Sequence, residues 1–321
     1  MHAQGASSAS AASAGPRRIT AEGAFTIEVC IDSLESAKKF VTIDLPAVCA
    51  AEGHAHRLEI CANLAVGGGT TPSMGLVRAV KRELPTMPIM VRLLSLIGAD
   101  ALGTNANMQI MIRPRIGDFL YSVDEIAVMR EDIRAFKEIG VDGVVLGVLD
   151  ADGDVDTVQL RALVNEALPL EVTFHRAFDV SRNALKSLDQ IRSVPGVTRV
   201  LTSGQGKTVS DSIPMLQAIL QNARAKGGPI IVAGSGINAK TISDFLWAIG
   251  MYHLHELHLS GGAWVEGEMS FRRSHMGMGA NGANEWKVWK TNSEEVGYVG
   301  DISIEMWDRI IDILEDQGID W

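Results

Sequence analysis

Cysteine is scarce in this sequence: three in 321 residues, Cys30, Cys49 and Cys61. So few excludes a disulfide-stapled scaffold and fits a reducing compartment. No CxxC or HxxxH spacing occurs, so no ready-made zinc motif is present. Aromatic residues make up only 5%, which leaves the core to aliphatic side chains. Positive charge is also short, with 29 Lys and Arg against 39 Asp and Glu and a net charge of −10. That balance argues against a nucleic-acid groove or an anionic membrane surface, both of which need clustered basic residues. No apolar run reaches the roughly 18 residues of a membrane-spanning helix.

What is present is an alternation of short apolar strands with helical stretches. Strands are expected at 25–30, 57–61, 108–113, 143–149, 171–174, 199–202, 229–233 and 256–259. Between them the apolar residues recur at helical spacing, as in Ile126, Met129, Ile133, Phe136 and Ile139. Eight such βα units predict a single (β/α)8 TIM-type barrel. A doubly wound open sheet is the alternative, but its Gly-rich first turn is missing; the first strand runs into Cys30, Asp32 and Ser33 instead. Residues 1–22, mostly Ala, Ser and Gly at their start, read as a disordered tail, and 23–321 as one barrel domain. Within it, 93–107 reads as an insertion and 261–300 as a long loop over the barrel mouth, followed by a last amphipathic helix at 302–314.

Strand side chains alternate, and in a barrel the outward ones meet helices and are apolar. Ile27, Val29, Leu58, Ile60, Ile110, Ile112, Leu257 and Leu259 therefore point outward. That sends Glu28, Cys30, Glu59, Cys61, Met111, Arg113, Arg115, Glu256, His258 and Ser260 inward, with Thr173 and His175 sharing a face. A lumen is usually filled with Val, Ile and Leu. Charged groups there must pair with one another or bind something. Arg113 is expected to lie beside Glu28 and Glu59 and to pair with them. Two readings stay open: an ion network that only fixes the fold, and an active site. In the second, His175 serves as acid or base near neutral pH, Glu28 and Glu59 as paired carboxylates, and Arg113 and Arg115 as holders of a small anionic substrate such as a sugar phosphate.

Cys30 and Cys61 end adjacent strands on the same face, each two residues after an inward Glu. Neighbouring strands lie about 4.8 Å apart, so two thiolates there suit a soft metal such as Cu(I) or Zn(II), or a disulfide if oxidised. Cys49 reads as packing. Gly-containing turns at Ser203 and Gly204, at Gly234, Ser235 and Gly236, and at Ser260 follow the sixth, seventh and eighth strands, where barrels build anion sites from backbone N–H groups. His253, His255 and His258 do not form a triple-His site, because His255 and His258 point to opposite faces.

The motifs IEVCIDS (27–33), RLEIC (57–61), GGTTPS (68–73), MIRPRIGDFLYS (111–122), FHRAFD (174–179), RVLTSG (199–204) and GSGI (234–237) stand in an order that resembles the CutC copper-homeostasis family. The resemblance covers about 25–278. It implies a TIM-type barrel, a homo-oligomer, a cytoplasmic location that leaves the nucleus open, and Cu(I) handling at the cysteines that match Cys30 and Cys61. The sequence departs from the family pattern at a longer first helical region containing Pro46, at the 93–107 insertion, at Ile116 in place of a glycine, and at the Ser-Gly-Gly after the eighth strand.

Overall fold

The computed structural model describes residues 25–41, 55–83, 107–250, 254–280 and 282–316. The expected tail, Cys49, Pro46, His253 and all but the last residue of the 93–107 insertion lie outside the described residues.

All eight expected strands form, each within a few residues of its expected bounds. They are β1 (Thr26–Ile31), β2 (Arg57–Ile60), β3 (Asn107–Met111), β4 (Gly143–Leu146), β5 (Glu171–Phe174), β6 (Val197–Thr202), β7 (Ile230–Gly234) and β8 (Glu256–Leu259). Each pairs in parallel with the next, and β8 pairs back onto β1, so the sheet closes into a barrel. The helices between them are α1 (Leu34–Val41), α2 (Leu64–Gly67), α3 (Met74–Glu83), α4 (Val123–Ile139), α5 (Thr157–Ala167), α6 (Ala184–Arg192), α7 (Ile213–Lys226) and α8 (Ile242–Ile249). No helix of the described residues is long and apolar enough to cross a membrane.

Local sequence explains the helices. In α4, Ser122 and Glu125 form a reciprocal capping box and Gly140 closes the far end in the left-handed conformation. Its Ile126, Met129, Ile133 and Phe136 are buried, as the spacing predicts. The outward strand residues Ile27, Val29, Leu58, Ile60, Ile110 and Ile112 share one apolar layer with helix residues such as Met129, Leu163, Leu188 and Phe245. The lumen is separate. There Cys61, Met111 and Val145 pack together, with Leu64 against them.

The region after β8 differs from expectation. Residues 261–300 are not loop throughout: 267–286 form a long connection whose described residues carry only a short 3-10 turn, and regular structure stands on either side of it. The flanking segments form an antiparallel hairpin, β9 (Gly262–Glu266) and β10 (Lys287–Thr291), in which Trp289 faces Trp264. The hairpin is tied to the start of α1. Ser36 Oγ accepts from the Thr291 N–H at 3.3 Å, Lys39 Nζ donates to the Thr291 carbonyl at 2.9 Å, and Lys290 pairs with Glu35. The last helix, α9 (Ser293–Asp316), begins nine residues earlier than expected. Val296 and Val299 are buried in its first turns, but Gly297 and Gly300 lie among them and lower the helical signal.

Candidate functional site at the barrel mouth

The lumen divides into a closed ionic floor and an open pocket above it. In the floor, Arg57 at the start of β2 bridges Glu28 and Glu256, donating to Glu256 Oε2 at 2.5 Å. Arg199 continues the chain, donating to Glu256 at 3.0 Å and to Glu171 at 2.7 Å. Gln109 donates to the same Glu171 oxygen at 3.1 Å. Burial alone would raise the Glu28 carboxyl, but the Arg57 guanidinium and then His258 hold it down at about 2. An ionised carboxylate only accepts, so His258 Nδ1–H donates to Glu28 Oε1, at 2.6 Å. That bond, with the charges of Glu59 and Glu28, raises the His258 imidazole against its own burial.

These contacts correct the expected partner of the carboxylates. Glu28 pairs with Arg57 and His258, not with Arg113. β3 ends at Met111, and strand alternation stops with it. The Arg113 guanidinium turns to the main chain, donating to the carbonyls of Gly67, Gly69 (2.9 Å) and Gly117 (3.3 Å), and it lies over the Phe119 ring. Arg115 is not in the lumen at all. It is partly exposed and pairs with Glu125 and Asp118.

Above the floor lies a pocket of about 270 Å³ at the C-terminal ends of the strands, where barrel active sites are built. Cys30, Glu59, Met111, Arg113, His175, Arg176, Ser235, Gly236, His258 and Ser260 are on its wall. Glu59 is 2% exposed, and its Oε2 has no hydrogen-bond partner. Burial pushes this carboxyl up to about 7, the Glu28 charge adds to that, and His258 and Arg57 oppose it. Glu28, Glu59 and His258 present ligand atoms within 4.8 Å of one another. Both Glu28 oxygens are already engaged by Arg57 and His258.

The Glu59 shift has a measurable consequence. Below an unfolded pKa of about 4.5 both states hold the proton, and between 4.5 and 7 only the folded state does. Stability is therefore expected to fall as pH rises through this window. Glu59→Gln is expected to remove the slope between about pH 4.5 and 6.5, above which the raised His258 adds a fall of its own, and to be more stable than wild type by roughly 3 kcal/mol at pH 8, with little difference at pH 4. Urea unfolding across this range checks it; a wild-type curve flat from pH 4.5 to 8 would show that Glu59 is ionised throughout.

His175, the expected acid or base, also holds a local turn. Its Nδ1 accepts the Ala177 N–H at 3.2 Å, capping the 3-10 turn Arg176–Val180. In the neutral ring the proton then sits on Nε2. Burial and the Arg113 charge lower the imidazole to about 3, so it stays neutral at physiological pH. Gly147 on the neighbouring segment makes room for it: a Cβ there would stand 2.4 Å from His175 Nδ1. The ring packs edge-on against Phe119, centroids 4.9 Å apart, and Nε2 has no protein partner.

Of the three Gly turns, the one at Ser203 and Gly204 is filled from within. Its donors converge on the Asp179 carboxylate: Thr202 Oγ1 at 2.5 Å, the Ser203 N–H and Oγ at 3.0 Å, and the Gln205 N–H at 3.2 Å. Asp179 also takes Arg176 at 2.7 Å. No external anion is needed there. Gly234 is the last residue of β7, packed against Leu201 and His258, while Ser235, Gly236 and Ser260 do reach the pocket wall.

Cys30 and Cys61 are both free and buried. They are diagonal rather than facing, because the register sets Cys30 opposite Glu59 and leaves Cys61 two residues further along β2. A lateral step of about 4.8 Å and an axial one of about 6.6 Å put their Cα atoms roughly 8 Å apart, beyond disulfide reach. The Cys30 thiol donates to the Leu259 carbonyl at 3.6 Å and Cys61 to the Ile31 carbonyl at 3.5 Å, so each leans toward the preceding strand. Burial first, then Glu59, raises both thiols; Cys61 adds to the effect on Cys30 and Asp32 to that on Cys61.

Sequence reasoning named Glu28, Glu59, Glu256 and His258 correctly as lumen residues but passed over Arg57 and Arg199. Arg57 stands two residues before Glu59 on the same face, so alternation itself carried the signal.

Comparison with known proteins agrees with this architecture. The CutC family model matches residues 25–262. A Homo sapiens copper homeostasis protein cutC homolog is 36% identical over 282 residues, 88% of this chain and 90% of the human protein. The Mus musculus homolog is 37% identical over 257 residues, 80% of this chain and 81% of its own. The crystal structure of a Streptococcus agalactiae protein bearing the copper homeostasis CutC name covers 74% of this chain and 98% of its own, with 26% identity and a TM-score of 0.57. A barrel with these motifs in this order, matched by these relatives over most of their length, belongs to the CutC family of copper homeostasis proteins.

Proposed function

We propose that the protein handles copper by taking Cu(I) between Cys30 and Cys61. The observation that carries this reading is the meeting of soft sulfur at one side of the mouth. Cys30 and Met111 share the pocket wall, and Met111 packs against Cys61, whose thiol leans onto the strand that bears Cys30. Thiolate and thioether ligands select Cu(I), whereas the carboxylates nearby are hard donors already engaged in ion pairs or held by protons. Two uncharged thiols are also the form a reducing compartment keeps, which supports a cytoplasmic setting. The homo-oligomer implied by the family resemblance belongs to the same reading, and sedimentation of the full chain tests it.

The deciding experiment is Cu(I) titration against a competing chelator. Cys30→Ser with Cys61→Ser is expected to weaken Cu(I) binding by more than about 100-fold, since even supporting residues around a metal are worth 10–100-fold. The fold should persist, because serine hydroxyls can donate to the same Leu259 and Ile31 carbonyls. Unchanged affinity in the double variant would remove the cysteines from copper handling.

A second reading, a barrel enzyme for a small anionic substrate, is supported by the unpartnered Glu59 Oε2 and His175 Nε2 on the wall of the same pocket.

A further inference from the structure

Buried polar atoms without partners are uncommon, and each one asks for a ligand, a water or a reason. Three of them belong to side chains on the wall of the mouth pocket: His175 Nε2 and Arg113 Nε, which donate, and the chemically opposite Glu59 Oε2. On the β5 side, His175 is 3% exposed and presents Nε2–H, a donor. The Arg113 guanidinium lies over the Phe119 ring, which the His175 ring meets edge-on; its terminal nitrogens donate to the carbonyls of Gly67, Gly69 and Gly117, and its Nε is without a partner. Ser235 and Gly236, just after β7, line the same pocket. Opposite, on β2, Glu59 presents a carboxyl oxygen, with His258 next to it. A carboxyl group can accept from a hydroxyl when ionised and donate to it when protonated, so a hydroxyl suits it in either state.

We propose that this pocket binds a small hydroxylated organic anion, its carboxylate or phosphate group held by His175 and Arg113 and its hydroxyl by Glu59. The proposal rests on the second reading above and names the class of molecule. The volume limits the occupant to metabolite size, because about 270 Å³ falls below the roughly 300 Å³ at which pockets for drug-sized ligands begin. Neither pole depends on a cysteine, so organic-anion binding and Cu(I) binding separate by mutation.

Calorimetric titration of the full chain tests this with four probes: glycerol 3-phosphate and glycerate, which carry both groups; inorganic phosphate, which carries the anion alone; and glycerol, which carries hydroxyls alone. At least one of the two-group probes is expected to bind at least tenfold more tightly than phosphate or glycerol, the rough worth of one hydrogen bond from a buried charged or ionisable group. His175→Asn keeps an acceptor for the Ala177 N–H, and hence the cap, but withdraws the Nε2 donor. It should weaken that probe and phosphate alike by about tenfold. Glu59→Met, close in volume and lacking the carboxyl, should erase the advantage of the two-group probe and leave phosphate unchanged. Phosphate binding as tightly as both two-group probes, with Glu59→Met silent, would overturn the hydroxylated ligand while leaving an anion pocket in place. No binding of any probe would overturn both.

Discussion

Arg57→Ala is expected to cost about 3–5 kcal/mol of folding stability at neutral pH, the range for removing one partner from a buried ion pair. Arg57 is 3% exposed and joins Glu28 to Glu256, both of them buried. The loss should depend on pH in one direction. The folded pKa of Glu28 is depressed to about 2, so its stabilisation is present above the unfolded value near 4.5 and is lost as pH falls toward 2. Variant and wild type should therefore converge in acid. Arg113→Ala supplies the contrast, because its acceptors are main-chain carbonyls that do not titrate. Its cost should persist into acid. Urea unfolding of the two variants beside wild type at pH 7 and pH 3 measures both; acid convergence of Arg113→Ala, with none for Arg57→Ala, would move the ionic partner of Glu28 back to Arg113.

That contrast marks where sequence reading succeeds and where it stops. The barrel was legible because each strand carries two contrasting faces. Ile27 and Val29 beside Glu28 and Cys30, or Leu257 and Leu259 beside Glu256 and His258, fix which side meets the helices. The pairing inside the lumen was not legible, since it depends on register. Cys30 faces Glu59 rather than Cys61, a consequence of how β1 and β2 slide past each other, which no single strand reports. Alternation also fails past a strand end, which is why Arg115 leaves the lumen and Arg113, though it reaches the pocket wall, turns its guanidinium to main-chain carbonyls. The turn at Ser203 and Gly204 looked open to an anion because its occupant, Asp179, lies more than twenty residues earlier in the chain. Nothing local announces such a contact. His175 does reach the pocket wall, yet its protonation comes from burial and from Arg113, both properties of the folded barrel.

The same burial that keeps His175 neutral sets how the proposed capture of Cu(I) should respond to pH. Both thiols are raised above the ordinary cysteine value, by burial first and by Glu59 next, so both hold their protons through the physiological range. Cu(I) binds thiolate, and each thiol must therefore release a proton as the metal enters. Below the thiol pKa values, affinity should rise by about tenfold per pH unit for each proton displaced, which is about 100-fold per unit for two cysteines. A thioether such as that of Met111 has no proton to lose and leaves the slope unchanged. Competition titrations from pH 6 to 8, corrected for the chelator's own protonation, read the slope directly. A slope of two on a logarithmic scale places both Cys30 and Cys61 on the metal. A slope of one would leave only one of them there, and the single variants Cys30→Ser and Cys61→Ser would identify it by the loss of the remaining slope. A flat profile would mean that Cu(I) meets neither thiol, and the copper role of the chain would then have to reside outside the lumen.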